Sequence, residues 1–219
     1  MNVETGRAEL RRIVAIVPVR ALEGAKSRLG DRLDPEERQA LVLALLDRTI
    51  RAAEEVAGLE TVVVVSQDPT VLRAASSAGA TPIRQLDDGL NEGLRTAARW
   101  AMADGATALL VLAADLPAIT ALAIRQVVAA AEAVARDDRP LVVLVADRHG
   151  RGTNALLISP PDAIPFAFGH DSRAAHLAAA SVVGAAIAEP DSPLSLDLDL
   201  PEDLILAEEL GLLDPARVG

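Results

Sequence analysis

The chain has 219 residues, of which 51% are hydrophobic and only 1% are aromatic, so its core must be built from Ala, Val, Leu and Ile. A net charge of −11 argues against nucleic-acid and anionic-membrane partners, because both need a basic surface. The absence of cysteine excludes disulfides and thiolate metal sites, and it fits a cytoplasmic protein. The N-terminal stretch 1–12 is polar and lacks the apolar segment of a signal peptide. No apolar run approaches the roughly 18 residues of a membrane span.

Strand-like and helix-like segments alternate along the chain. Short β-branched apolar runs predict buried strands, and apolar residues at helical spacing predict amphipathic helices between them. Asp34 before Pro35 is typical of a helix N-cap followed by a first-turn proline, and Thr120 is a second predicted cap. In chain order we predict strand 13–19, helix 35–56, strand 61–66, helix 69–78, helix 91–104, strand 108–113, helix 120–136, strand 141–146, strand 154–158, helix 172–181 and helix 201–210.

Near-continuous apolar strands separated by helices predict an α/β fold. Its sheet should be mostly parallel and covered by helices on both faces. No internal repeat, linker or low-complexity tract divides the sequence, so we predict one domain over residues 1–219 with a core of about 12–212. Such folds bind ligands beyond the carboxyl ends of their strands, and the loops that leave those ends are therefore the candidate site.

The loop after the first predicted strand, residues 18–29, collects three cations. Arg20, Lys26 and Arg28 stand in the segment PVRALEGAKSRL together with Gly24. Lysine and arginine total 21 in the chain, and Lys26 is the one lysine among them. A compact ammonium group suits a phosphate, so this loop is a candidate triphosphate site. Its spacing matches neither a Walker A motif nor a dinucleotide fingerprint, and the alternative is a solvated basic loop.

The segment DDGLN, residues 87–91, is a candidate nucleoside contact. Gly89 permits a tight turn, and Asn91 opens a predicted helix. The Asn91 amide carries both a donor and an acceptor, which suits a base edge or a ribose. The alternative is an ordinary turn with an asparagine cap.

Three aspartates form a pattern typical of a metal site. Asp115 follows the apolar strand 108–113, a position that suits a Mg²⁺ ligand in α/β phosphate chemistry. Asp197 and Asp199 alternate with leucines, and on a strand both carboxylates would lie on one face. Neighbouring carboxylates repel each other unless a cation lies between them, so the three acids predict one or two Mg²⁺ ions. The alternatives are an aspartate at a turn before proline and a solvent-facing strand edge.

Two polar segments between residues 147 and 172 complete the set of candidate loops. The stretch DRHGRGTN, residues 147–154, separates two apolar runs, and a simple hairpin is the alternative to a binding loop. Downstream, FGHDS precedes a predicted helix. There Gly169 and Ser172 could offer a backbone N–H and a hydroxyl at a helix N-terminus, which favours anions. The alternative is a helix cap formed by Asp171 or Ser172.

Six segments, taken in order, resemble the phosphoenolpyruvate / 2-phospho-L-lactate guanylyltransferases of coenzyme F420 biosynthesis. They are PVRALEGAKSRL, DDGLN, AADLP, GRGTNALL, FGHDS and LDLDLPEDL, and the resemblance spans roughly residues 13–210. It implies a single-domain, Rossmann-like nucleotidyltransferase fold with a mostly parallel mixed sheet. It also implies transfer of GMP from GTP to phosphoenolpyruvate, which gives enolpyruvoyl-2-diphospho-5'-guanosine and pyrophosphate.

The resemblance assigns a role to each candidate residue. The Mg²⁺ ligands, which with Lys26 form the catalytic set, would be Asp115, Asp197 and Asp199. The residues that hold the phosphorylated acid would be Thr153, Gly169 and Ser172. The nucleotide-binding residues would be Arg20, Lys26, Arg28, Gly89 and Asn91. Arg20 departs from the lysine that we expect in many relatives, and the two side chains are not interchangeable at phosphates.

Other acceptors and other functions stay open at this point. 2-Phospho-L-lactate and 3-phosphoglycerate are alternative acceptors, because the preference for phosphoenolpyruvate rests on the resemblance. Further alternatives are a nucleotidyltransferase for molybdopterin or a sugar phosphate, a D-x-D glycosyltransferase that uses Asp197 and Asp199, and a non-catalytic nucleotide-binding module. The sequence leaves the oligomeric state open, with a homodimer as one option.

Two kinds of site are disfavoured by the residues themselves. The histidines His149, His170 and His176 lack a metal-binding spacing. The sequence also has no G-x-S-x-G motif, which disfavours hydrolysis by a nucleophilic serine.

Overall fold

The computed structural model describes residues 10–136 and 139–213, which form seven strands and six α-helices. The strands are β1 (Ile13–Pro18), β2 (Leu59–Ser66), β3 (Thr81–Arg84), β4 (Ala108–Leu112), β5 (Leu141–Ala146), β6 (Thr153–Ser159) and β7 (Ala186–Ala188). The helices are α1 (Pro35–Glu54), α2 (Pro69–Ser77), α3 (Leu90–Ala103), α4 (Ala121–Val134), α5 (Ser172–Val182) and α6 (Pro201–Glu209). Two short 3₁₀ helices span Ser27–Leu29 and Pro193–Ser195.

The strands form one sheet in the order β3-β2-β1-β4-β6-β5-β7. β6 runs antiparallel to β4 and β5, and the other neighbouring strands pair in parallel. The predicted mostly parallel mixed sheet is therefore confirmed. The carboxyl ends of β1, β4 and β5 share an edge with the first residue of the antiparallel β6, and the predicted site loops leave from this edge.

Helices cover both faces of the sheet, as predicted. α1, α2 and α4 pack on one face, and α3 and α5 pack on the other. Along β1, successive side chains alternate between the two layers, because side chains on a strand point to opposite faces. Ile13, Ala15 and Val17 belong to the first layer, and Val14 and Ile16 belong to the second.

A smaller apolar cluster holds two of the site loops together. Leu29 and Leu33 come from the loop after β1. They pack with Leu198, which precedes α6, and with Leu204 in the first turns of that helix. All four side chains are buried. Because Leu198 stands between two of the candidate metal ligands, the cluster places that segment beside the first loop.

The two predicted helix caps are confirmed. Asp34 Oδ1 accepts the backbone N–H groups of Glu36 and Glu37 at 2.8 and 2.9 Å, and Glu37 closes a capping box. Thr120 Oγ1 accepts the Ala123 N–H at 3.1 Å at the start of α4. Caps of this kind contribute about 1 kcal/mol each to stability.

Some local predictions were wrong. The segment 195–200 is not a strand, because the Leu198 N–H donates to the carbonyl of Asp115, a loop residue beyond the end of β4, at 3.1 Å. The alternative of a side-chain cap for α5 is not observed, because Asp171 makes no side-chain capping bond and the Ser172 hydroxyl donates to Thr153. The edge strands β3 and β7 were not predicted.

Most other boundaries differ from the prediction by no more than two residues, which is the ordinary uncertainty of a helix or strand end. Most of the polar N-terminal stretch 1–12 lies outside the described residues. In the ranges 10–136 and 139–213, no helix is both long enough and apolar enough to cross a membrane.

Candidate active site

A cleft of about 930 Å³ opens at the carboxyl edge of the parallel strands. Its walls come from the loops after β1 and β4, the start of β6, the loop before α5 and the segment before α6. The structure brings most of the predicted site residues into this lining, namely Arg20, Lys26, Arg28, Asp115, Thr153, Gly169, Ser172, Asp197 and Asp199. Gly89 and Asn91 are not part of the lining, although Leu90 between them is.

Asp115, Asp197 and Asp199 meet in this cleft. Each offers a carboxylate oxygen, and the three oxygens lie within 4.8 Å of one another. Asp115 stands just beyond β4, and the bond from the Leu198 N–H to its carbonyl ties the two acidic segments together. The Leu198 side chain is fully buried, so the aspartates on either side of it turn toward the cleft.

A buried aspartate, Asp203, holds the backbone of residues 196–200, which we call the acidic segment, in place. Its Oδ2 accepts the backbone N–H groups of Asp199 at 3.0 Å and Leu200 at 2.7 Å. Its Oδ1 forms an ion pair with Arg148 Nη2 at 2.5 Å, which links α6 to the loop between β5 and β6. Sequence reasoning missed Asp203. The available signal was an acid two residues after the first-turn proline Pro201, where a carboxylate satisfies free N–H groups.

Asn154 is a second residue that sequence reasoning left without a role. Its side chain is buried at the start of β6. Its Nδ2 lies 3.0 Å from the carbonyl oxygens of both Leu194 and Ser195, and 3.4 Å from Asp197 Oδ1. Asn154 therefore fixes the chain as it enters the acidic segment.

Lys26 lies among the acids. Its Nζ contacts Asp115 and donates to Asp199 Oδ1 at 2.8 Å. Burial disfavours the charged ammonium, but the two carboxylates outweigh burial and raise the pKa of Lys26. The side chain therefore carries its positive charge in the cleft. The sequence predicted Lys26 at nucleotide phosphates, and the structure places it between two of the predicted metal ligands.

The pKa values of Asp197 and Asp199 are shifted in opposite directions. Burial and the proximity of the other two acids raise the pKa of Asp197 to about 6. For Asp199, burial acts in the same direction, but Lys26 and the arginines of the same loop outweigh it and lower the pKa. Asp197 is thus the acid with the least compensating positive charge.

The donor set fits a hard divalent cation. Three carboxylates from two chain segments supply the oxygen ligands that Mg²⁺ takes in proteins. Burial, followed by the charges of Asp115 and Asp199, raises the pKa of Asp197, and a cation beside its carboxylate would offset these effects. Asp115, Asp197 and Asp199 are therefore the residues that could hold a metal.

Two buried hydroxyls line another part of the cleft. Thr153 is the first residue of β6 and Ser172 the first of α5, and their Oγ atoms lie 3.2 Å apart. Gly169, just before α5, has φ 132, a conformation that favours glycine. The Ser172 N–H donates to the Gly169 carbonyl at 3.3 Å. The three residues predicted to hold the phosphorylated acid therefore lie together.

His176 contacts this hydroxyl pair from within α5. The residue is fully buried, with Nδ1 3.1 Å from Thr153 Oγ1, and Nε2 accepts the Ala167 N–H at 3.0 Å. Burial lowers the pKa of His176 to about 4, so the ring is neutral at physiological pH. Sequence reasoning considered His176 only as a metal ligand. Ser172 and His176 are four residues apart, so both lie on one face of the helix. This spacing is the sequence pattern that could have identified His176.

Asn91 joins the start of α3 to the loop before α5. Its Nδ2 donates to the Phe168 carbonyl at 3.0 Å, and its Oδ1 accepts the Phe168 N–H at 2.9 Å. Gly89 lies in the bend that precedes α3 and has φ 101, a conformation that favours glycine. The side-chain amide of Asn91 is thus engaged with the backbone of Phe168, a residue of the cleft wall.

Comparisons with known proteins identify relatives over nearly the whole chain. The chain is 44% identical over 200 residues to the phosphoenolpyruvate guanylyltransferase of Rubrobacter xylanophilus, and the match covers 91% of this chain and 95% of the relative. It is 45% identical over 192 residues to the protein of the same name from Sphaerobacter thermophilus, with 87% and 90% covered. A solved nucleotidyl transferase from Methanothermobacter superposes with a TM-score of 0.63 at 17% identity, with 91% and 97% covered.

The sheet order, the helices on both faces and the similarity to that solved structure define a Rossmann-like α/β nucleotidyltransferase fold. The family described as "Guanylyl transferase CofC like" matches residues 13–210. The chain belongs to this CofC-like guanylyl transferase family, which confirms the resemblance found in the sequence. The matched span contains every residue of the cleft described above.

Proposed function

We propose that this chain transfers GMP from GTP to phosphoenolpyruvate and releases pyrophosphate. The name shared by its curated relatives supports this pair of substrates. In the structure, the observation that carries the proposal is a single cleft lined by both the three-acid cluster and the hydroxyl pair of Thr153 and Ser172. The acids suit a metal-bound triphosphate, and the hydroxyls at a helix start suit an anionic acceptor. In this proposal the chain acts as a single nucleotidyltransferase domain.

The proposed reaction needs little proton chemistry. An oxygen of the acceptor phosphate attacks the α-phosphorus of GTP, and the bond from that phosphorus to the bridging oxygen breaks. The bridging oxygen leaves with pyrophosphate, and GMP is joined to the acceptor through a new phosphoanhydride. The attacking phosphate is already anionic at neutral pH. The chain must therefore supply charge neutralisation and in-line placement rather than a base.

We propose Mg²⁺ as the cofactor, held by Asp115, Asp197 and Asp199. When bound, the ion supplies positive charge at the triphosphate oxygens. Asp197 is the ligand that gains most from a cation, because Lys26 already contacts the other two acids. The raised pKa of Asp197 supports this assignment.

The cations of the first loop are proposed to meet the GTP phosphates. Lys26, Arg20 and Arg28 all line the cleft next to the acids. Their positive charges offset part of the repulsion between the acidic cluster and a triphosphate. Gly89 and Asn91 stay predictions for the nucleoside side, supported by the presence of Leu90 in the lining.

Thr153, Gly169 and Ser172 are proposed to hold the acid. Phosphoenolpyruvate carries a carboxylate beside a phosphate, and hydroxyl and backbone donors suit both groups. 2-Phospho-L-lactate carries the same two groups, so the preference between the acids follows the relatives' name. Phe168 and His170 are the ring-bearing side chains in the described part of the cleft lining apart from Pro18, which leaves little stacking surface for a pterin.

An acceptor screen tests this proposal. Purified protein is mixed with GTP, Mg²⁺ and one acceptor at a time, and the products are identified by mass spectrometry. We expect guanylylated phosphoenolpyruvate as the main product, with 2-phospho-L-lactate second and 3-phosphoglycerate included as a third acid. Molybdopterin and a sugar phosphate serve as controls. Product from a control acceptor and from none of the three acids would overturn the proposal.

A further inference from the structure

His176 is a buried polar residue that the proposed reaction leaves unused. It makes two polar contacts, one with the Ala167 backbone and one with the Thr153 hydroxyl. Thr153 in turn contacts the Ser172 hydroxyl, and both hydroxyl residues line the cleft. A chain of hydrogen bonds therefore runs from the Ala167 N–H through the ring to the wall where the acceptor is proposed to bind.

The backbone decides which nitrogen of the ring carries the proton. The Ala167 N–H can only donate, so Nε2 must accept and cannot carry a hydrogen. A neutral imidazole has one N–H, and the other nitrogen must therefore be the donor. Nδ1–H faces Thr153 Oγ1 at 3.1 Å and donates to it.

The position of Ala167 is itself fixed by its neighbour. Asn91 bonds both the N–H and the carbonyl of Phe168, which holds the backbone next to Ala167. The Phe168 ring packs edge-on against the His176 ring, with the ring centroids 4.8 Å apart. The ring is therefore held by its packing as well as by its hydrogen bonds.

The tautomer determines what the hydroxyl pair presents to a ligand. Thr153 and Ser172 have two hydroxyl hydrogens between them, and one is used in the bond that joins the pair. If Nδ1 donates to Thr153, the second hydrogen stays free to point into the cleft. If Nδ1 were instead the acceptor, Thr153 would give its hydrogen to the ring and Ser172 would give its hydrogen to Thr153. The pair would then offer only lone pairs, which repel an anion.

We propose that His176 is a positioning residue that makes the Thr153–Ser172 pair a hydrogen-bond donor to the anionic acceptor. The inference rests on the proposed function for the identity of that acceptor. It predicts that His176 acts on acceptor binding through Thr153 and leaves GTP binding unchanged. A histidine that served only to fill the core would affect stability and both substrates alike.

A double-mutant cycle on Thr153 and His176 tests the coupling. His176→Phe keeps a ring of similar shape and removes both nitrogens, and Thr153→Val removes the hydroxyl. Each single variant should raise the KM for phosphoenolpyruvate about tenfold or more, the size expected for a lost hydrogen bond to a charged group. The KM for GTP should change less than about twofold, and the double variant should resemble Thr153→Val alone. Additive effects, or equal changes in both KM values, would overturn the proposal.

A control variant separates this role from loss of stability. Leu177→Ala removes apolar packing from the same helix and touches no polar group of the pair. It should lower the melting temperature and leave the ratio of the two KM values as in the wild type. A shift of that ratio like the one in His176→Phe would mean that any weakening of α5 has the same effect, and it would contradict a specific role.

The tautomer can be read without any substrate. The chain has three histidines, so the ¹⁵N NMR signals of His176 are assigned by their loss in His176→Phe. We expect a neutral ring with the proton on Nδ1, and a proton on Nε2 would refute the inference. Failure of the wild type to use phosphoenolpyruvate would instead count against the proposed function, and the cycle would then be run with the acid that the screen identifies.

Discussion

Asp197→Asn should stabilise the metal-free protein while it abolishes GMP transfer. Burial and the neighbouring acids raise the pKa of Asp197 from 3.8 to about 6. The folded state therefore holds this proton more tightly than the unfolded chain does. It follows that the unfolding free energy falls as the pH rises through the interval between these two values. Asparagine carries no charge at any pH and removes this penalty.

The size of the gain follows from the pKa. A rise from 3.8 to about 6 corresponds to roughly 3 kcal/mol, at about 1.4 kcal/mol per pKa unit. Asp197 is only half-buried, and solvent screens part of the interaction, so we expect a gain of about 1–2 kcal/mol at neutral pH. For a chain of this length, each kcal/mol raises the melting temperature by about 2–4 °C.

The assay is urea unfolding in the presence of EDTA, at several pH values between mild acid and neutrality. Asp199→Asn is the matched control, because the pKa of Asp199 is lowered and its charge stabilises the fold through Lys26. That variant should lose stability at neutral pH, and both variants should lose activity. The reasoning is refuted if Asp197→Asn is no more stable than the wild type at neutral pH, or if both variants shift stability in the same direction.

Three further predictions concern the cleft. Lys26→Ala should raise the KM for GTP or lower kcat about tenfold or more, since a charge-assisted contact contributes about 1.5–3 kcal/mol, and Lys26→Arg should recover part of the loss. Unchanged GTP kinetics would mean that Lys26 contacts the acids but not the GTP phosphates. In steady-state assays Ser172→Ala should raise the KM for phosphoenolpyruvate more than that for GTP, and equal shifts would contradict the assignment. The unfolding free energy should fall as the pH drops from 6.5 to about 4, because unfolding lets His176 take up a proton. His176→Phe should lack that contribution, and a pH profile identical to the wild type's would argue against a buried neutral ring.

The fold could be predicted where burial leaves a clear sequence pattern. The runs that became β1, β2, β4, β5 and β6 are almost wholly apolar because helices cover both faces of the central sheet. β3 and β7 lie at the two edges, are only four and three residues long, and have half-exposed side chains. Their pattern is too short to distinguish from a loop. Pro82 also argued against a strand at the position of β3, although an edge strand tolerates proline.

The acidic segment shows a different limit. Alternation in this segment correctly predicts that Leu196 and Leu198 are buried and that the aspartates face the cleft, whereas Leu200 is only half-buried. The segment is nevertheless not a strand, since its backbone bond goes to the loop residue Asp115. Period-two burial and strand pairing are separate properties, and only the first can be read from the sequence.

The residues that hold the cleft residues in place were the hardest to predict from the sequence. Asn154 and His176 bond groups that lie far away in sequence, the Leu194 carbonyl and the Thr153 hydroxyl. Asp203 joins its local backbone bonds to an ion pair with the distant Arg148. Only the fold brings these groups together. The residues that face the cleft were easier to find, because charged and small residues at strand ends form a local pattern.

The most direct test of the central claim, GMP transfer, places a label on one phosphorus of GTP and identifies the product that carries it. GTP labelled at the α-phosphorus and GTP labelled at the γ-phosphorus are incubated separately with protein, Mg²⁺ and phosphoenolpyruvate. Guanylyl transfer predicts that the α-label enters the phosphoenolpyruvate product and the γ-label appears in pyrophosphate, with neither result in Asp197→Asn. A γ-label in the product, or an α-label that stays in GTP, would contradict the claim that this cleft transfers GMP.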